Sequence, residues 1–211
     1  MMTPAVRKIA LTTHITSSVG WLGAVGTFLA LAGAGVTSHD PQVVRAAYLS
    51  MHLTTWFVIV PLCVASLLTG VVESLGTPWG LFRQYWVLTK LLLTVLATVI
   101  LLVHTQPIDR VAALAARIDL ATGDLRQLRL QLVGDAAAAL FVLFVTTALS
   151  VYKPWGMTPY GLRMQAEARP DWHPAASRRA RPAGQYVIAA IVGFVLLMLG
   201  LHLFGIGVHG H

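Results

Sequence analysis

Five continuous apolar stretches, at about residues 9–36, 46–72, 84–105, 131–151 and 185–207, take up most of the 211-residue chain. Each reaches the ~20 residues that an α-helix needs to cross a hydrocarbon core roughly 30 Å thick. They are apolar throughout rather than alternating, which argues against a transmembrane β-barrel. The chain is 56% hydrophobic and 11% charged, far below the ~25% charge of soluble domains. The sequence therefore predicts an all-α polytopic bundle of five transmembrane helices, folded as a single integral membrane domain over residues 1–211.

The formal charge of +7 would point to nucleic acid in a soluble protein. Here it comes from the basic loops of a membrane protein, with no basic patch interleaved with aromatics, so no nucleic-acid partner is expected. The one cysteine, Cys63, falls inside the second stretch. Without CxxC or CxxCH there is no place for a covalently attached c-type haem or a cysteine-rich metal site. Arg7 and Lys8 precede a first stretch that ends in Ala-Gly-Ala-Gly, in the manner of a signal peptide. The stretch exceeds the ~7–15 residues of a signal core, so a retained first helix is expected.

Positive charge orients the bundle. Arg7, Lys8, Arg83, Lys153, Arg163, Arg169, Arg178, Arg179 and Arg181 fall on one side of a five-helix arrangement. Arg45, Arg110, Arg117, Arg126 and Arg129 fall on the other, partly offset by Asp109, Asp119 and Asp124. This predicts a cytoplasmic N-terminus and an external C-terminus. Residues 106–130 carry Ile108, Val111, Ala115, Ile118, Leu125 and Leu128 among charges, the pattern of an interfacial amphipathic helix or of an extension of the fourth helix. Residues 152–184 hold five of the ten prolines together with Trp155 and Trp172, and read as an irregular cytoplasmic surface loop. Trp79 and Trp86 resemble interfacial anchors. Gly20, Gly23 and Gly26 in the first helix would allow close helix contact.

Ionisable groups in lipid are expensive, which makes His14, His52, Lys90, His104, His202 and Asp135 candidates for function. At ~1.5 Å per residue, His14 and Lys90 each lie roughly 10 Å in from the cytoplasmic side and could meet if their helices touch. His52, His104, His202 and Asp135 lie toward the external side. Lys90 and His104 are separated by nearly four whole turns and share one face, with Thr94, Ala97 and Leu101 between them. His14, Ser17, Ser18 and Trp21 form a second polar-tinged face. Imidazole is a good axial ligand for haem iron, and helical bundles hold haem between facing helices. On depth, His52 and His104 are the first candidate pair for a haem b, with His202 as a substitute. His14 could ligate a second or alternative haem. Lys90 fits a proton donor or a partner of a haem propionate, and Asp135 could also handle protons.

Two motifs carry a resemblance. Helix 1 reads His14-Ile-Thr-Ser-Ser-Val-Gly-Trp21-Leu-Gly23, and a later helix reads Trp86-Val-Leu-Thr-Lys90. The histidine followed by Trp-x-Gly, then Trp-x-x-x-Lys, resembles the HemJ group of bacterial membrane protoporphyrinogen IX oxidases, related in fold to the CopD copper-resistance membrane proteins. It also resembles a family of predicted bacterial integral membrane proteins in the same superfamily. The likeness covers roughly residues 6–105. It implies a four-helix core plus one helix, placed in the bacterial inner membrane. His14 matches the helix-1 histidine tied to haem binding and activity, and Lys90 a functional lysine. The expectation is a haem-b membrane protein with a redox role, as an oxidoreductase acting on a porphyrinogen or passing electrons to a quinone, with His14 and Lys90 as its catalytic candidates. The alternatives are a CopD-like copper-handling protein, against which the scattered methionines weigh, and a non-catalytic subunit that docks another membrane protein or a second copy.

Overall fold

The computed structural model describes residues 2–76, 80–116, 126–153 and 156–168. Among these the chain is helical: α1 (Pro4–Thr37), α2 (Pro41–Thr54), a π-helical turn (Thr55–Ile59), α3 (Val60–Gly76), α4 (Tyr85–Ala116), α5 (Arg126–Tyr152) and the short α6 (Pro159–Ala168). The turn joins α2 and α3 into one unbroken rod, Pro41–Gly76. Four helices are then long and apolar enough to cross a membrane: α1, this rod, α4 and α5. The predicted fifth span, 185–207, lies outside the described residues, as does His202.

The helix starts follow local chemistry. Proline stands at the first turn of α1 and of α2, where its missing N–H and fixed φ do no harm. Thr3 caps α1 by accepting from the Val6 N–H, and the Asp40 carboxylate accepts from the Gln42 N–H at 2.8 Å. Only Ser38, His39 and Asp40 separate the two helices, so they form a tight antiparallel hairpin.

The described residues fall into two compact units. The first holds α1, α2, the π-helical turn, α3, α5 and α4 from Lys90 onward. In it, α1 packs against α2, α3 and α5. The core joins Trp21, Val25 and Phe28 of α1 to Tyr48 and Met51 of α2, Cys63 of α3, Val111 of α4 and Leu132 and Leu143 of α5. Outward residues are large and apolar, among them Ile9, Val19, Phe57, Phe141 and Phe144, as expected of a surface that faces lipid. Lipid is as apolar as leucine, so what joins these helices is close packing and hydrogen bonding. A Cβ on Gly35 would sit 2.7 Å from the Tyr48 ring, so glycine is what allows α1 and α2 to touch there. Gly20 meets Leu62 in the same manner, but Gly23 and Gly26 face open space. The expected small-residue seam is thus reduced to Gly20.

Two boundaries differ from the sequence reading. The third span does not stop at 105 but runs to Ala116 with Pro107 inside it. Ile108, Val111 and Ala115 are buried in the core, and that packing outweighs the ladder hydrogen bond that proline removes. Likewise α5 begins at Arg126. Much of the 106–130 segment is therefore helix extension; residues 117–125 lie outside the described set.

The second unit includes residues 80–89, Lys153 and 156–168. Here the supposed irregular loop contains α6. Thr158 organises its start. Its N–H donates to the Arg83 carbonyl at 2.9 Å, its hydroxyl donates to the Phe82 carbonyl at 2.6 Å, and the same hydroxyl oxygen accepts from the Gly161 N–H at 3.1 Å. Lys153 lies 5.8 Å from the Trp86 ring centre, in cation–π range.

Candidate functional site

Two polar clusters of the first unit lie at its opposite ends. Nearer the N-terminal side, α1 and α3 run antiparallel with His14 and Ser18 facing Ser66 and Thr69. The His14 Nδ1 lies 3.1 Å from the Ser66 carbonyl oxygen and 3.2 Å from the Thr69 hydroxyl. A carbonyl only accepts, and the Thr69 hydroxyl already donates to the Ala65 carbonyl at 2.6 Å. Nδ1 therefore carries the proton, and Nε2 presents its lone pair. Fixing one ring nitrogen on a carbonyl is how a histidine is oriented to use the other as a ligand or base.

The ring has little room to turn. A Cβ on Gly70 would lie 3.0 Å from His14 Cε1, so glycine lets the imidazole rest against α3. One turn along α1, the Ser18 and Ser66 hydroxyls meet at 2.7 Å, and the buried Ser17 hydroxyl donates to the His14 carbonyl at 3.1 Å. Ser66 thus serves α1 twice, with its carbonyl on His14 and its hydroxyl on Ser18.

Charge surrounds this cluster. Lys90, near the start of α4, feels the carboxylate of Glu73 at the end of α3. His14 feels the Lys90 ammonium, and Glu73 feels both Lys90 and Arg7. Lys90, Glu73 and His14 are each half-buried. A lysine entering the hydrocarbon edge needs a compensating anion, and Glu73 is placed to supply it. The sequence reading brought His14 and Lys90 to one depth, and the fold brings His14 within reach of the Lys90 charge. Glu73, Ser66 and Thr69 were missed. The signal for Ser66 and Thr69 was their spacing of three on one helix face, opposite the Ser17–Ser18 pair.

The opposite end carries His52, Trp56 and Asp109. The Trp56 indole N–H donates to Asp109 Oδ1 at 3.0 Å, and His52 Nδ1 stands 3.8 Å from the same oxygen. His52 is fourteen residues from Ser66 along one rod, roughly 21 Å at the usual helical rise, so His14 and His52 cannot share one iron. The expected partner of His52, His104, has a side chain outside the described residues. Asp135 is half-buried more than two turns past the start of α5, deeper than a helix starting at 131 would have put it.

Among the described residues no three or more His, Cys, Asp and Glu side chains converge as a metal-ion site. Cys63 is buried beside the Thr98 hydroxyl at 3.1 Å and takes no part in either cluster. Comparison of the chain with protein-family models, with curated proteins and with solved structures finds no match, so a functional reading has to be built on the His14 cluster itself.

Proposed function

We propose that this is a haem-b-binding membrane protein with a redox role, that His14 is the axial ligand, and that its N-terminus lies on the cytoplasmic side. One observation carries the reading: a histidine on a membrane-spanning helix is fixed through Nδ1 on the Ser66 carbonyl, with Nε2 left to ligate. The residues present fit the group on three counts. The imidazole is oriented, the α1–α3 contact is narrowed by Gly70 so that the ring cannot swing away, and cations stand nearby. Lys90 and Arg7 are the groups that would meet the carboxylates of a porphyrin, while Glu73 keeps Lys90 compensated before any ligand arrives. Haem bound there would supply one-electron chemistry at iron. The chain's own part is to orient, to hold charge, and to keep a titratable ammonium beside the site as a proton donor.

A reduced-minus-oxidised visible spectrum of the purified protein, with a pyridine haemochrome assay, tests this. A b-type signal that disappears in His14→Ala is the expected result. A colourless protein after expression with excess haem precursor sinks the reading, as does a signal indifferent to His14.

A further inference from the structure

We propose that His52, Trp56 and Asp109 form a second site, at the far end of the bundle from His14, that binds the head of a hydroquinone-type molecule dissolved in the bilayer. The argument starts from a mismatch within one side chain. The His52 side chain is 36% exposed, yet its Nδ1 is fully buried and has no hydrogen-bond partner. The exposed part of the ring is therefore the edge that carries Nε2. Nδ1 faces Asp109 Oδ1 across 3.8 Å, longer than a hydrogen bond. A carboxylate on that side favours the ring proton on the nearer nitrogen, Nδ1. In that tautomer the outward Nε2 is an acceptor.

The surroundings say what would donate to it. Trp56 stands one turn further along the same face, 42% exposed, with its indole pinned to Asp109. Its ring is a flat apolar wall beside the acceptor. Leu53 and Phe57 on the same helix and Leu102 and Val103 on α4 are exposed as well, so the approach to the site runs through lipid. The site offers an imidazole acceptor and a carboxylate, and the one N–H among its side chains that could serve an anion is already given to Asp109. That composition favours a neutral hydrogen-bond donor over an anionic headgroup at these three side chains. It accepts a neutral molecule with a hydroxyl on a flat ring and an apolar tail, which is a hydroquinone. Trp56 also lies inside the π-helical turn Thr55–Ile59; single turns of this kind are frequent at functional sites.

As an electron donor this ligand rests on the redox reading above; as a bound molecule it does not, and the experiment reads binding alone. Decylubiquinol is titrated into the protein in lipid nanodiscs, with tryptophan quenching followed above the linear background of free lipid partitioning. A saturable component is expected, weakened at least ten-fold in His52→Gln and in Asp109→Asn. The asparagine variant keeps an acceptor for Trp56 and so guards against simple misfolding. A ¹⁵N-histidine spectrum should place the His52 proton on Nδ1 and move the Nε2 resonance on adding the quinol. Identical titrations in the wild type and both variants, or an Nε2–H tautomer at His52, would overturn the proposal. Haem spectra of the same samples report separately on the His14 reading.

Discussion

The two ends of the bundle use histidine in opposite ways. At the His14 end the imidazole is tied to the Ser66 carbonyl and the Ser18 hydroxyl to the Ser66 hydroxyl across two helices, and Lys90 feels the Glu73 carboxylate. At the His52 end the imidazole stops short of its carboxylate by nearly an ångström, and both side chains stay over one-third exposed. The first arrangement suits a group held permanently; the second suits a molecule that comes and goes. Two histidines on one face of a hydropathy plot are therefore not equivalent, and what separates them is the neighbour that fixes Nδ1.

The contrast can be broken at several points. Glu73→Gln should have the largest effect, because it removes the counter-charge that Lys90 feels at the membrane edge. Glu73→Gln combined with Lys90→Met should recover most of the lost stability, measured by denaturation in mixed micelles. Next comes Gly70→Val, which forces side-chain atoms against the His14 ring and should cost about 1–3 kcal/mol by overpacking. The same variant should diminish the b-type spectrum, since the ring leaves its place on the Ser66 carbonyl. Ser66→Ala sharpens the comparison, because it removes the Ser18 bond but keeps that carbonyl. A loss of about 0.6 kcal/mol is expected, with the spectrum unaltered. At the other end Asp109→Asn should change stability by under ~1 kcal/mol, as for exposed charged contacts generally. If it proves as destabilising as Glu73→Gln, the two ends do not differ in the way described here.

Much of the fold could be read from hydropathy, because span length is set by the thickness of the bilayer and not by any partner. The first four spans appear where the apolar runs lie. Depth was also legible, since helical rise is constant: it brought His14 and Lys90 together before any helix had been placed. Facing was not. Glu73 lies one residue beyond its apolar run, and nothing in linear order says that it turns toward Lys90. Asp109 was placed between two spans because the apolar run ends at 105; burial of Ile108, Val111 and Ala115 against the core instead carries the third span on to Ala116. The π-helical turn has no signature in the residues Thr-Trp-Phe-Val-Ile, because it depends on how the rod packs rather than on its composition.

The order of residues at the His14 end has a consequence for biogenesis. Chains are made from the N-terminus, and here the sequence runs His14, then Ser66 and Gly70, then Glu73, and last Lys90. Each element of the cluster emerges after the one that must receive it. The carboxylate is already in place when the lysine reaches the bilayer, so α4 inserts against a waiting counter-charge instead of bare lipid. Exchanging Glu73 and Lys90 would preserve the pair in the finished protein yet reverse the order of entry, and the insertion machinery would meet the difference before folding was complete.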